Sequence, residues 1–64
     1  MNDYEQLYKK YGLVDQQVGY NNKHEPVVVT VTKEYAVITT CQKNGWLRIN
    51  TYYKNGTCTE EYEK

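Results

Sequence analysis

Few side chains in this chain can carry covalent or acid–base chemistry: His24, Cys41 and Cys58, with Glu25 directly beside the histidine. There is no serine, so a serine nucleophile is ruled out. A His-Glu pair can tune a proton relay, but neighbours on an extended segment point to opposite sides. "HEP" at 24–26 therefore reads as solvated loop. Cys41 would need a base within reach, and the residue expected across from it is Arg48, which can lower a thiol pKa without taking a proton. The two cysteines and the histidine lack any metal-ligand spacing. Neither an enzyme, nor a metal site, nor a cofactor is expected.

Composition narrows the remaining classes. Sixty-four residues give room for one domain, 1–64, with a single thin core. Eight acidic and eight basic side chains balance, so no net field draws the chain to phosphate or anionic lipid. Eight tyrosines and one tryptophan carry much of the buryable surface, and phenylalanine is absent. No aliphatic run is longer than the three residues of Val27–Val29, far short of a signal peptide or a membrane span. The expected location is cytoplasmic, where both cysteines stay reduced.

The elements that position these residues begin with "NDYEQLYKKYG", a predicted helix over about 3–11. Asn2 is its N-cap, with Glu5 as capping-box partner. Asp3 and Glu5 in the first turn and Lys9 and Lys10 in the last match the helix dipole. Gly12 supplies the stop. Tyr4, Leu7, Tyr8 and Tyr11 recur at i, i+3, i+4 and i+7 and form the packing stripe. Residues 13–26 carry Leu13, Val14 and Val18 as anchors for a helical turn or an edge strand, then a loop through Asn21, Asn22 and Pro26.

From Val27 onward, runs rich in Val, Ile, Thr and Tyr predict strands at about 27–32, 35–42, 46–53 and 57–62. The triplet Lys-Asn-Gly occurs at both of the last two joints, at 43–45 and 54–56. Asn-Gly suits the two central positions of a type I′ hairpin turn. With two-residue turns, Thr40 faces Ile49, Tyr53 faces Cys58 and Ile49 faces Tyr62. In the first hairpin a two-residue loop at Lys33-Glu34 sets Val31 opposite Ala36 and Val29 opposite Ile38. The expected fold is α+β, a short N-terminal helix packed on a four-stranded antiparallel β-meander.

Opposed residues share a sheet face. This register sends Val27, Val29, Val31, Ala36, Ile38, Leu47, Ile49, Tyr53, Cys58 and Tyr62 toward the helix. It sends Tyr35, Val37, Thr39, Cys41, Trp46, Arg48, Asn50 and Tyr52 outward, and places the two cysteines on opposite faces. An outer face with Trp, Tyr and the only Arg of the chain has the residue types of a binding hot spot. Trp46, Arg48, Tyr52, Tyr35 and Val37 are the expected partner-binding residues, provided residues 13–26 do not fold across them.

The expected partner is a protein, an unidentified host enzyme, with pairing of two outer faces into a homodimer as an alternative. Folding such a short chain lands near zero net stability without extra burial, which favours a partner of either kind. Single-stranded nucleic acid, stacked on Trp46, Tyr52 and Tyr35, is the rival, weakened by the shortage of basic residues around Arg48. In composition alone the chain resembles the small Tyr/Asn/Lys-rich early proteins of phages and mobile elements. That resemblance implies a non-catalytic inhibitor that occludes a host enzyme such as a defence nuclease, as anti-CRISPR proteins do.

Overall fold

The computed structural model describes residues 2–64. Its elements in chain order are α1 (Asp3–Tyr11), β1 (Val14–Tyr20), β2 (Pro26–Val31), β3 (Tyr35–Cys41), β4 (Leu47–Tyr53) and β5 (Cys58–Glu63). The strands form one antiparallel sheet in the order β1-β2-β3-β4-β5, and α1 lies across β2, β3 and β4 on one side.

The helix is set by its caps. Asn2 is extended, and its side-chain oxygen accepts from the Glu5 N–H at 2.8 Å. At the other end Gly12 holds φ 70°, and its N–H donates to the Tyr8 carbonyl at 2.8 Å. Tyr4 is only 5% exposed, and its hydroxyl donates to the Thr32 carbonyl at 2.7 Å. Leu7 and Tyr11 pack beside it, whereas Tyr8 sits on the flank, exposed and tilted against the Tyr4 ring at 6.0 Å. The working stripe is therefore i, i+3, i+7.

The sheet has five strands, and the expected four must be corrected. The fifth, β1, is an edge strand that pairs Val14 with Val31 and Val18 with Val28. Its register shifts between Val14 and Gln17, where the Thr30 hydroxyl donates to the Asp15 carbonyl at 2.8 Å. Such an irregularity breaks the period-two pattern by which a strand is recognised in sequence. Because residues 13–26 extend the sheet sideways, they leave its outer face open.

Turn geometry supplies the second correction. Gln42 N–H donates to the Trp46 carbonyl and Gly45 N–H to the Gln42 carbonyl, at 3.2 and 3.1 Å. The loop is Lys43-Asn44-Gly45, three residues, with only Gly45 at positive φ (91°). This is the type I turn followed by a left-handed residue, not the two-residue I′ turn. Asn44 contributes through its side chain, which accepts from the Trp46 N–H at 2.9 Å. The second triplet repeats the pattern: Gly56 has φ 96°, Gly56 N–H donates to Tyr53, and the Asn55 side chain accepts from the Thr57 N–H.

Each corner is thus shifted by one position from the expected register. Thr39 faces Ile49, Thr40 faces Arg48 and Tyr52 faces Cys58. A one-residue slip turns a strand over, so β4 presents the opposite face from the one expected. The second slip turns the chain back, and β5 regains the expected side. The first hairpin has the expected register, with Val31 opposite Ala36 and Val29 opposite Ile38.

The core under α1 is small: Tyr4, Val29, Val31 and Ala36 are buried, with Leu7, Tyr11, Val14, Ile38 and Tyr52 packed around them. Leu47, Ile49 and Tyr53, expected there, lie on the far side. Cys58 and Tyr62 share the helix side, as expected, but remain exposed, since α1 packs chiefly on β2, β3 and β4.

Candidate protein-interaction surface

The face turned away from α1 follows from the pairing. One row across the sheet reads Val18, Val28, Thr39, Ile49, Glu61, and the next reads Thr30, Val37, Thr51, Thr59. Tyr35 pairs with Tyr53 at one end, their rings 6.2 Å apart and inclined at 58°. Cys41 pairs with Leu47 at the other end, and Leu47 with Glu63. The centre of this face is aliphatic and threonine-rich, the periphery is tyrosine, and one edge is acidic. Val18 and Tyr20 are 69% and 71% exposed. Among the described residues no strand places a Lys or Arg on this face. An antiparallel sheet that faces water normally alternates apolar-in and polar-out. Here both sides carry apolar rows.

The expected contact residues divide between the two sides. Tyr35 and Val37 belong to the open face. Trp46, Arg48 and Tyr52 project to the helix side, because β4 is turned over. The aromatic platform supposed to stack bases therefore does not assemble as one surface. Leu47, Ile49, Thr51 and Tyr53 take the places given to Trp46, Arg48, Asn50 and Tyr52. The sequence signal that finds them is Lys-Asn-Gly read as a whole three-residue loop, with Gly third.

On the helix side, alongside α1, a polar cluster occupies the uncovered part of the sheet. Glu25 is buried, accepting from the Asn21 side chain at 2.8 Å and the Lys43 N–H at 3.2 Å, which holds its pKa below the ordinary carboxylate range. Glu60 is lowered in the same way, first by the Asn50 amide at 2.9 Å and then by the Tyr62 hydroxyl at 2.8 Å. The Tyr62 phenol is raised in turn, since its proton is held against that carboxylate. Arg48 lies opposite Tyr62, with its Nε buried and lacking a hydrogen-bond partner among the described residues. Trp46 stands at the rim, with the Lys64 ammonium 5.5 Å from its ring centroid. Tyr52 is raised chiefly by burial, consistent with its place against the core rather than on a contact surface.

Cys41 and Cys58 are free, exposed and on opposite faces of the sheet. His24 sits in the β1–β2 loop at φ 63°, and its N–H donates to the Asn21 carbonyl at 3.0 Å. Among the described residues no group of His, Cys, Asp or Glu is placed to hold a metal ion, and no helix is long and apolar enough to cross a membrane. No family model, curated protein or solved structure matches this chain.

Proposed function

We propose that this chain is a small non-catalytic protein-binding module whose contact surface is the helix-free face of its sheet. One observation carries the reading: β2, β3 and β4 carry α1 on one side, yet present half-buried Val28, Val37, Leu47 and Ile49 on the other, with no described residue of another element laid across them. A contiguous, partly exposed apolar face, with exposed Val18, Tyr20, Tyr35 and Tyr53 around it, marks a place where another surface docks. Threonine and tyrosine around that centre give the polar, aromatic rim of an interface. Binding would act by occlusion, covering a surface that the partner needs. The compositional likeness to early phage proteins makes a host enzyme, such as a defence nuclease, the partner class we favour.

The test separates the two sides of the sheet. Ile49→Lys should abolish capture of a protein partner from host lysate while the circular dichroism spectrum is unchanged. Arg48→Ala, on the helix side, should retain capture. The opposite outcome would move the contact to the Trp46–Arg48 rim.

A further inference from the structure

We infer that the occupant of the open face, in the absence of another partner, is a second copy of this chain, packed face to face as a two-sheet sandwich about a two-fold axis that runs along β3. The inference rests on the open face being the contact surface, as proposed above, and adds what covers it at rest.

Three observations converge on a copy of the same surface. The first is area. Five strands spaced about 4.8 Å apart and six residues long make a face of roughly 480 Å² in plan, so two such faces remove on the order of 1,000 Å² from water before side-chain relief is counted. Specific interfaces begin near that size. The second is need. The buried core is four side chains, of which Val29 is the largest fully covered, and each open face offers a further aliphatic centre of similar extent.

The third is charge, and it selects the axis. On the open face Glu61 and Glu63 lie along β5, with Val18 and Tyr20 along β1 at the other edge. A two-fold axis across the strands would set β5 on its copy and confront like charges about 10 Å apart, the spacing of packed sheets. An axis along the strands sets β5 over β1 and keeps the two acidic edges a sheet-width apart, beyond the screening length at physiological salt. The central rows then match, and at the edge Val18 lies over Glu61 of the copy. Val28 lies over Ile49 of the copy, Thr30 over Thr51, and Val37 over itself on the axis. Tyr20 comes over Glu63, a phenol donor above a carboxylate acceptor. Apolar residues meet in the middle and charges stay at the solvated rim.

The geometry also places Cys41, at the end of β3, near its own copy, whereas Cys58 faces away on the helix side. That gives a test on native thiols. A short bis-maleimide should link wild type and Cys58→Ser into dimers and leave Cys41→Ser unlinked. Sedimentation should show twice the 7.6 kDa chain mass at high concentration. The melting temperature should rise by about 5 °C over a hundredfold increase in concentration. Val37→Lys, which places two ammonium groups on the axis, should sediment as a monomer with its spectrum intact. A wild type that stays monomeric, or a dimer linked through Cys58 and indifferent to Val37→Lys, overturns the inference. The two readings fail separately: a monomer that loses partner capture on Ile49→Lys keeps the proposed function, and a Cys41-linked dimer that captures nothing keeps the pairing alone.

Discussion

Position 24 shows how much one residue's backbone can carry. The β1–β2 loop closes as the other two three-residue loops do: Asn21 N–H donates to the Glu25 carbonyl, and His24 N–H to the Asn21 carbonyl. Histidine therefore occupies the left-handed position that Gly45 and Gly56 hold elsewhere. A side chain there meets the following carbonyl at a cost of about 1–2 kcal/mol, partly offset by glycine's greater freedom in the unfolded chain. His24→Gly should stabilise the fold by about 0.5–1 kcal/mol in a urea titration. A loss would show that the imidazole makes a contact worth more than the strain. Glu25, its neighbour, fixes the same loop by accepting from Asn21 and from Lys43 across the sheet end. Its folded pKa is lowered, so its contribution is whole above the ordinary carboxylate value and is lost as pH falls through the folded one. The melting temperature of wild type should drop on acidification below that ordinary value. Glu25→Gln should melt lower at neutral pH and show a flatter acid limb; an unchanged limb would assign the acid sensitivity to other carboxylates such as Glu60.

At the scale of elements, the two Lys-Asn-Gly corners decide which side of β4 is which. A Cβ built on Gly45 or Gly56 meets nothing within 4 Å, so only the backbone conformation demands glycine. Gly45→Ala should therefore cost about 1 kcal/mol, and D-alanine at the same position should recover it or exceed wild type, as read by denaturant midpoint. Equal stability of the two stereoisomers would mean that the corner is not held in the left-handed conformation. The same corners mark how far the fold is legible in the amino-acid sequence. Turn residues announce where the chain reverses, and Asn2, Glu5 and Gly12 announce the helix with its ends. Loop length is another matter. Asn-Gly fits a two-residue turn through positive φ at both residues, and fits a three-residue turn through a side-chain bond from Asn and positive φ at Gly alone. The two readings differ by one residue of register, which exchanges Ile49 for Arg48 on the open face. For β1 the sequence leaves a helical turn and an edge strand both open, and the structure takes the edge strand: its bulge interrupts the alternation, and "VDQQVGY" contains only three apolar residues, Val14, Val18 and Tyr20, to carry the pattern.

At the scale of the whole molecule the limiting quantity is burial, and Tyr4 concentrates it. Its ring is the only buried aromatic side chain among the described residues, and its hydroxyl bonds the carbonyl of Thr32 at the β2–β3 turn, so one residue joins helix to sheet by packing and by hydrogen bond. Around it the fold is tied at the same end: the Asn2 side chain donates to the Lys54 carbonyl, and Lys54 N–H to the Glu34 carbonyl. The two parts of the Tyr4 contribution differ in size. Removing a buried aromatic side chain costs about 3–5 kcal/mol, while a single core in a chain of this length supplies at most about 3–5 kcal/mol of net stability. Tyr4→Ala should therefore leave much of the population unfolded at 25 °C, visible as lost helical and sheet dichroism. Tyr4→Phe keeps the ring and removes only the bond to Thr32, for a loss of about 1 kcal/mol, and should fold with a modestly lower melting temperature. Two equally destabilised variants would place the weight on the hydroxyl, and a folded Tyr4→Ala would mean that the sheet stands without its helix. Added burial on the open face acts on the same balance from the other side. Raising the concentration of Tyr4→Phe should restore its melting temperature toward that of dilute wild type if self-pairing supplies that burial, and should leave it unmoved if the chain folds alone.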